Sequence, residues 1–253
     1  MLGLEHHIKQ KMNYLPSKLD GVSISKSPVF AVDTGLATDM FNVAFCNGPV
    51  TETDVIDALK YFKGRKLPFA FWVGFDGDPP WLSEVLEREG YHSDEDETLM
   101  VTNLDFLDLP DEFPLDIRKV SDSAGLGDFL QVLQGVLDKK EFAAVKSFYE
   151  GVTKELLSKN SKEHFFVGYE GTKPIGCSSS FCHDGLVSIF NVIVLPKWRG
   201  QGFGKALTLC AMRDAKRRGM ETCHLTATND AKQLYSKLSF KEIKQLKVYP
   251  ISQ

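Results

Sequence analysis

The run Leu186-Val187-Ser188-Ile189-Phe190-Asn191-Val192-Ile193-Val194-Leu195-Pro196-Lys197-Trp198-Arg199-Gly200-Gln201-Gly202-Phe203-Gly204-Lys205 decides the fold. Its first ten residues are nearly continuous in apolar side chains, the composition of a strand buried on both faces. Three glycines then fall within five residues, and beyond them Phe203, Ala206, Leu207, Cys210 and Ala211 recur at i, i+3, i+4, i+7 and i+8, the period of an amphipathic helix. That helix ends in Lys216, Arg217, Arg218 and Gly219, where cations and a glycine favour a C-terminus. With no Cβ atoms in the way, N–H groups at the helix start are free to turn toward one anion, and the helix dipole adds favourable potential for a pyrophosphate. Arg199 and Lys205 would add charge-assisted contacts.

Two other phosphate loops are excluded residue by residue. A Walker loop ending at Gly204-Lys205 needs glycine where Arg199 stands and Ser or Thr where Ala206 stands, so its magnesium ligand is missing. A Rossmann fingerprint from Gly200 needs glycine at Lys205.

Working outward, Leu115 to Val120 reads as a strand, and Asp122 to Leu137 and Phe142 to Lys159 as helices. His164 to Tyr169 and Ile175 to Cys182 form a hairpin about the turn Glu170-Gly171-Thr172-Lys173-Pro174, and His183-Asp184-Gly185 turns the chain into the decisive strand. After the glycine helix, Thr222 to Thr226 and Lys247 to Ile251 read as strands, and Ala231 to Leu238 as a short helix. Upstream, Leu104 to Pro114 carries two prolines and four acids and is comfortable neither as helix nor as central strand, which sets a domain boundary there: 1–111 and 112–253. The first half echoes the second. Phe41-Asn42-Val43 mirrors Phe190-Asn191-Val192, and Gly90-Tyr91 mirrors Ser239-Phe240, both 149 residues apart. Between these anchors Val55 to Phe62 reads as helix, Phe69 to Val73 as strand and Trp81 to Glu89 as helix. At the same offset the first copy lacks an opening strand and much of the helical pair.

Composition narrows the class. Hydrophobic residues are 43% and charged residues 25% of 253, the profile of an ordinary globular chain. The net charge of -4 argues against nucleic acid as the partner, and the halves differ: residues 1–110 carry -9 and residues 111–253 carry +5, so an anionic ligand prefers the second half. No apolar run approaches the ~20 residues of a membrane span, and Met1 to Gln10 holds Glu5, His6, His7 and Lys9 rather than a leader pattern, so no membrane and a cytoplasmic location are expected. Cys46, Cys177, Cys182, Cys210 and Cys223 are odd in number and never spaced CxxC, so neither disulfides nor a metal site is expected.

Val192 to Gly204 resembles the acyl-CoA-binding signature of the GNAT acetyltransferases, in which V-x-P precedes R-G-x-G-x-G; the RxxGxG core matches in full at Arg199 to Gly204. Downstream, Asn229, Ala231, Leu234-Tyr235 and Leu238-Ser239-Phe240 resemble that family's second signature, with one spacing change and Ser239 where glycine is usual. The resemblance covers about Leu115 to Ile251 and, more faintly, Met40 to Leu104. It implies an α/β (α+β) protein of two GNAT-like domains, each a mixed, mostly antiparallel sheet flanked by helices, the N-terminal one shortened and degenerate. It implies acetyl-CoA as co-substrate, its pantetheine on the main chain of Val192, Ile193 and Val194. The pyrophosphate would lie on Arg199, Gly200, Gln201, Gly202, Phe203, Gly204 and Lys205, with Asn229 and Tyr235 completing the site. The implied reaction is direct attack of a primary amine on the thioester in a ternary complex, with main-chain N–H groups near Ile193 holding the oxyanion and Tyr235 protonating the thiolate. The acceptor is a small-molecule amine or a protein or peptide amine.

Tyr235 also lies on the apolar face of Ala231, Leu234 and Leu238, so a core tyrosine is the competing reading. Its counterpart in the first copy is Leu86, and the loop counterpart, Val50 to Val55, has no glycine; phenol and loop are absent together, which favours chemistry at Tyr235. Asn191 and Asn42 share one place in both copies and read as structural. Val187 to Asn191 carries no carboxylate, so no general base is evident. That gap sustains the alternative of an inactive acyl-CoA-binding sensor or interaction module. Oligomeric state is not readable.

Overall fold

The structure is a computed structural model that describes residues 2–25, 28–93 and 95–251. Along the chain it forms α1 (Leu2–Tyr14), β1 (Ser23–Ser25), β2 (Val29–Asp33), β3 (Val43–Cys46), α2 (Glu52–Arg65), β4 (Phe69–Val73) and α3 (Leu82–Arg88). There follow β5 (Glu95–Asn103), β6 (Asp116–Lys119), α4 (Ser123–Gln134), α5 (Lys139–Gly151), the single turn α6 (Thr153–Leu156), β7 (Glu163–Glu170) and β8 (Lys173–His183). The last are β9 (Leu186–Val194), α7 (Phe203–Arg217), β10 (Thr222–Ala227), α8 (Lys232–Ser236) and β11 (Lys241–Ile251).

These elements form two compact units. One takes the chain up to Leu99 together with Ala143–Val152 and the stretch from Lys244; the other takes Met100–Phe142 and Thr153–Ile243. The sequence suggests one boundary at 111/112, whereas both units are discontinuous in the chain. Helix α5 supplies a physical reason. Phe148 stacks on Phe41 with centroids 3.6 Å apart and Tyr149 meets the same ring edge-on at 5.7 Å, so most of α5 fills the first unit's core.

In the first unit β1, β2 and β3 pair antiparallel in turn, β3 runs parallel to β4 through the α2 crossover, and Lys247–Ile251 of β11 lies antiparallel against β4. Helix α2 starts at a capping box, in which Asp54 N–H donates to Thr51 Oγ1 and Thr51 N–H donates to Asp54 Oδ2 at 2.8 Å. It buries Val55, Leu59 and Phe62 against Phe69 and Phe71. Asn42 is fully buried at the mouth of the β3–β4 pair. Its Oδ1 accepts from Thr34 N–H and Oγ1–H at 2.8 and 2.7 Å, and its Nδ2 donates to the carbonyls of Leu36 and Pro68 at 2.7 and 2.9 Å. That is a side chain holding two loops together, as its structural reading requires.

In the second unit β6, β7, β8 and β9 form an antiparallel meander, and α7 carries the chain from β9 to the parallel strand β10, beside which lies β5. The β8–β9 turn has left-handed backbone at both Asp184 (φ 49°) and Gly185 (φ 75°), the Asp-Gly pairing that matches hairpin twist. Helix α4 is capped by Asp122, whose Oδ1 accepts from Gly125 N–H at 2.8 Å, and the second expected helix is broken at Gly151 into α5 and α6. Helix α7 packs Leu207, Ala211 and Ala215 onto the sheet. It comes so near at Gly176 that an added Cβ would stand 2.8 Å from the Ile193 carbonyl and 2.9 Å from Leu207. Among the described residues no helix is long and apolar enough to cross a membrane. All five thiols are free, and burial pushes Cys46 up to about 12 and Cys182 to about 11.

Two stability tests follow from this packing. Asn42→Ala leaves buried donors and acceptors without partners and is expected to cost about 3 kcal/mol or more in urea unfolding, since each orphaned group costs ~1–3 kcal/mol. His164 is buried on β7, and burial first, then the Lys119 and Arg218 cations, push it down to about 4 against the pull of Asp214. Below the ordinary histidine value the unfolded chain binds this proton more readily, so stability falls as pH drops from 6.5 toward 4. His164→Gln should remove that part of the slope, measured as unfolding free energy at pH 4.5 and 7.

Candidate functional site

The parallel pairing of β10 with β9 stops early. Thr222, Cys223 and His224 sit opposite Leu186, Val187 and Ser188, and beyond that register no pairing continues although β9 runs to Val194 and β10 to Ala227. The expectation that the whole apolar run is buried on both faces is therefore corrected. Val187 to Ile189 are buried, whereas Phe190 to Val194 are only half-buried, because the partner strand has moved away.

At the same level β9 carries a bulge. Cys177 faces Ile193 and Ser179 faces Phe190, so Asn191 and Val192 together oppose Ser178, and Asn191 takes a left-handed φ of 52°. Asn tolerates that conformation better than a branched residue would. Its Nδ2 lies 3.5 Å from Ser179 Oγ. The two asparagines thus work differently: Asn42 through its amide, Asn191 chiefly through its backbone.

The chain leaves β9 through the turn Pro196–Trp198, pinned by Trp198 N–H to Leu195 O at 2.8 Å. Arg199 folds back and donates from Nε to Val194 O at 3.0 Å, tying the loop to the strand end. Gly200 (φ 75°) and Gly202 (φ 81°) are left-handed, and a Cβ added at either would meet nothing within 4 Å. Gly204 has ordinary backbone, and its added Cβ would stand 3.7 Å from Leu234 of α8. Helix α7 has no side-chain cap. Ala206 is the first residue to close onto it, bonding Gly202 O at 3.1 Å, so the N–H groups of Phe203, Gly204 and Lys205 precede the helical ladder. Gln201 and Lys205 are exposed beside them. The result is an open cradle of peptide N–H groups at the positive end of a fifteen-residue helix, which fits a phosphate-bearing group.

Of the residues singled out from the sequence, Val192, Val194, Trp198 and Phe203 gather around Leu207 and Ile175 in one apolar cluster, so Trp198 and Phe203 pack the loop down. Asn229 is exposed in the turn after β10. Tyr235 is 7% exposed, edge-on to Phe240 at 5.9 Å, in the core cluster shared with Leu225, Ala227 and Leu238. Ser239 has φ 66°, a left-handed position that a glycine would hold without strain. The β9 segment before the bulge carries no carboxylate; Ser188 and His224, both buried, face each other across the last paired register.

What the sequence missed is the role of the segment Leu107–Pro114, read there only as the place of a domain boundary. It lies along α7, with Lys216 Nζ on Leu107 O at 2.9 Å, Arg213 on the carbonyls of Pro110 and Asp111, and Arg217 on Asp111 Oδ1 at 2.9 Å. Its apolar Leu107, Leu109 and Phe113 alternating with acids was the available signal.

Residues 161–242 match the family model described as Acetyltransferase (GNAT) domain. Over 64 residues the chain is 36% identical to a [Ribosomal protein bS18]-alanine N-acetyltransferase of Haemophilus influenzae, a stretch that is 24% of this chain and 44% of that protein, less than half of the relative's length. Among solved structures, a GCN5-related N-acetyltransferase from Kribbella flavida superposes with a TM-score of 0.70 at 15% identity, over 96% of this chain and 93% of that one. A tandem GNAT protein from the clavulanic acid biosynthesis pathway gives 0.58 at 9% identity, over 90% and 84%. The chain thus has a mixed α/β GNAT fold, mostly antiparallel sheet flanked by helices, with an acetyltransferase domain match over the stretch that holds the glycine loop.

The three glycines make separable demands. Gly202→Ala is expected to lose about 1 kcal/mol in urea unfolding from left-handed strain, whereas Gly204→Ala, with ordinary φ and room for a methyl, should be neutral or slightly stabilising.

Proposed function

We propose that the chain is an acetyl-CoA-dependent N-acetyltransferase whose chemistry belongs to the second unit. The observation that carries this reading is the uncapped, glycine-bared start of α7 at the end of a strand that has lost its parallel partner. Acetyl-CoA would supply an activated thioester there. Its diphosphate suits the N–H groups of Gly202, Phe203, Gly204 and Lys205, with Arg199, Gly200 and Gln201 shaping the turn. Its pantetheine amides suit the edge of β9 that has lost β10, at Val192, Ile193 and Val194, although Arg199 Nε already occupies the Val194 carbonyl. Asn229, in the turn to α8, would bound the arm on the other side.

In this reading the amine nitrogen forms a bond to the thioester carbon, the carbonyl electron pair moves onto oxygen near the bulge, and the C–S bond breaks as the intermediate collapses. The nitrogen releases its proton to solvent, and Tyr235 delivers one toward the leaving sulfur and is reprotonated from solvent, a phenol of pKa ~10 serving a thiolate of pKa ~8.5. An α-amine of pKa ~8 is about one part in ten neutral at pH 7, against about one in a thousand for a lysine-like amine, so the missing carboxylate on β9 matters less for an α-amine. The acceptor is accordingly a protein or peptide α-amine or a small amine of similar basicity. The alanine N-acetyltransferase relative points the same way by its name.

The first unit is proposed to be a shortened, degenerate copy of the same plan. Its parallel strand pair is joined by a helix, and Asn42 lies 149 residues before Asn191, but Thr51 caps α2 with a side chain and closes the place where an anion would sit. The cut at 111/112 remains the proposed line between the two copies in sequence.

Calorimetry with CoA and a thiol-release assay over a panel of amines and N-terminal peptides test this together. Tyr235→Phe is expected to lower kcat about 100-fold with CoA affinity within twofold. An absence of turnover with every amine while CoA still binds would favour an acyl-CoA sensor, the reading encouraged by the missing carboxylate. Unchanged kcat would return Tyr235 to the core.

A further inference from the structure

Between the start of α7, the end of α8 and the Leu107–Pro114 segment lies a cleft of about 480 Å³, within the ~300–1,000 Å³ of small-molecule sites. Gly202 and Lys205 belong both to the glycine loop and to the lining of this cleft, so a diphosphate on the loop would sit at its rim. The walls are of two kinds. Leu109, Phe113 and Leu209 give apolar surface, while Lys205, Lys237, Asp108 and Glu112 bring charge of both signs to the same lining. Two cations and two carboxylates provide little net attraction for an anion, but they offer local donors and acceptors around a ring system with a phosphate on one side.

The outer wall is held in place. Besides the bonds from Arg213, Lys216 and Arg217, the Arg213 guanidinium lies 4.5 Å over the Phe113 ring. Leu107, Leu109 and Phe113 also pack against the α7 core. Three of the helix's cations are thus spent on fixing the strap, and a wall fixed in advance costs a ligand less ordering entropy on binding.

We propose that the strap Leu107–Pro114 makes the chain read the adenosine half of its donor, so that it selects complete coenzyme A thioesters over their phosphopantetheine fragments. This rests on the assignment of the glycine loop as the diphosphate seat. Phe113 and Leu109 take a face of the purine, and Lys205 and Lys237 take the ribose phosphate. Asp108 and Glu112 accept from the exocyclic amine and ribose hydroxyls.

The test is calorimetric and needs no turnover. CoA and 4′-phosphopantetheine are titrated into the full-length chain and into Phe113→Ala and Lys237→Ala. The exposed Lys237 can be replaced without disturbing the core. CoA should bind the unaltered chain at least about tenfold more tightly than the fragment, a gap of ~1.4 kcal/mol. Each substitution should weaken CoA several-fold while leaving the fragment within twofold. Equal affinities in the unaltered chain, or equal loss of both ligands in the two variants, overturns the role of the strap. Failure of the unaltered chain to bind either ligand overturns the donor assignment beneath it.

Discussion

Past Ser188 and His224 two parallel strands stop bonding, and the peptide groups exposed on β9 have to be satisfied by something other than sheet. This constraint organises the second unit. A strand that loses its neighbour in mid-course would ordinarily be an unstable edge, and here the loss is confined to six residues by a bulge on one side and a glycine loop at the end. The left-handed backbone at Asn191 re-aims the strand while its other edge remains bonded to β8. What is left open is a short row of main-chain donors and acceptors leading to the start of α7.

The helix start extends the same economy of unused hydrogen bonds. A Ser, Thr or Asp before α7 would stabilise it by about 1 kcal/mol, as Thr51 does for α2 and Asp122 for α4. Glycine stands there instead, giving up the cap and leaving three N–H groups ahead of the helical ladder. The contrast between a capped α2 and an uncapped α7 is one of purpose rather than of helix propensity: a cap spends on the protein what a phosphate would otherwise use. Arg213, Lys216 and Arg217, by contrast, bind carbonyls and a carboxylate of the chain's own strap.

Much of the second unit was legible in the sequence because its signals are local. Three glycines, the 3.6-residue apolar period of α7 and the Asp184-Gly185 turn each act over a few residues and fix backbone conformation whatever surrounds them. The first unit was less legible. Helix α1 docks through Glu5, whose buried carboxylate takes the Asp76 N–H at 2.9 and 2.8 Å and the Lys244 ammonium, and a polar contact between residues far apart in sequence leaves no periodic trace. Nor could periodicity say that Phe148 and Tyr149 would pack on Phe41, since an amphipathic helix declares which face it buries and not against what.

The sequence by itself therefore determined the strand–loop–helix unit, the bare helix terminus and the sign of the ligand that suits it, because conformation at glycine and hydrophobic period are properties of neighbouring residues. Only the tertiary structure decided where β9 loses its partner, which core receives α5, and that the acidic, proline-bearing segment before residue 115 is a clamped wall of a cleft instead of a free linker. Those outcomes depend on contacts between residues 36 to 109 positions apart, and the free energy of such contacts is set by packing that no local pattern encodes.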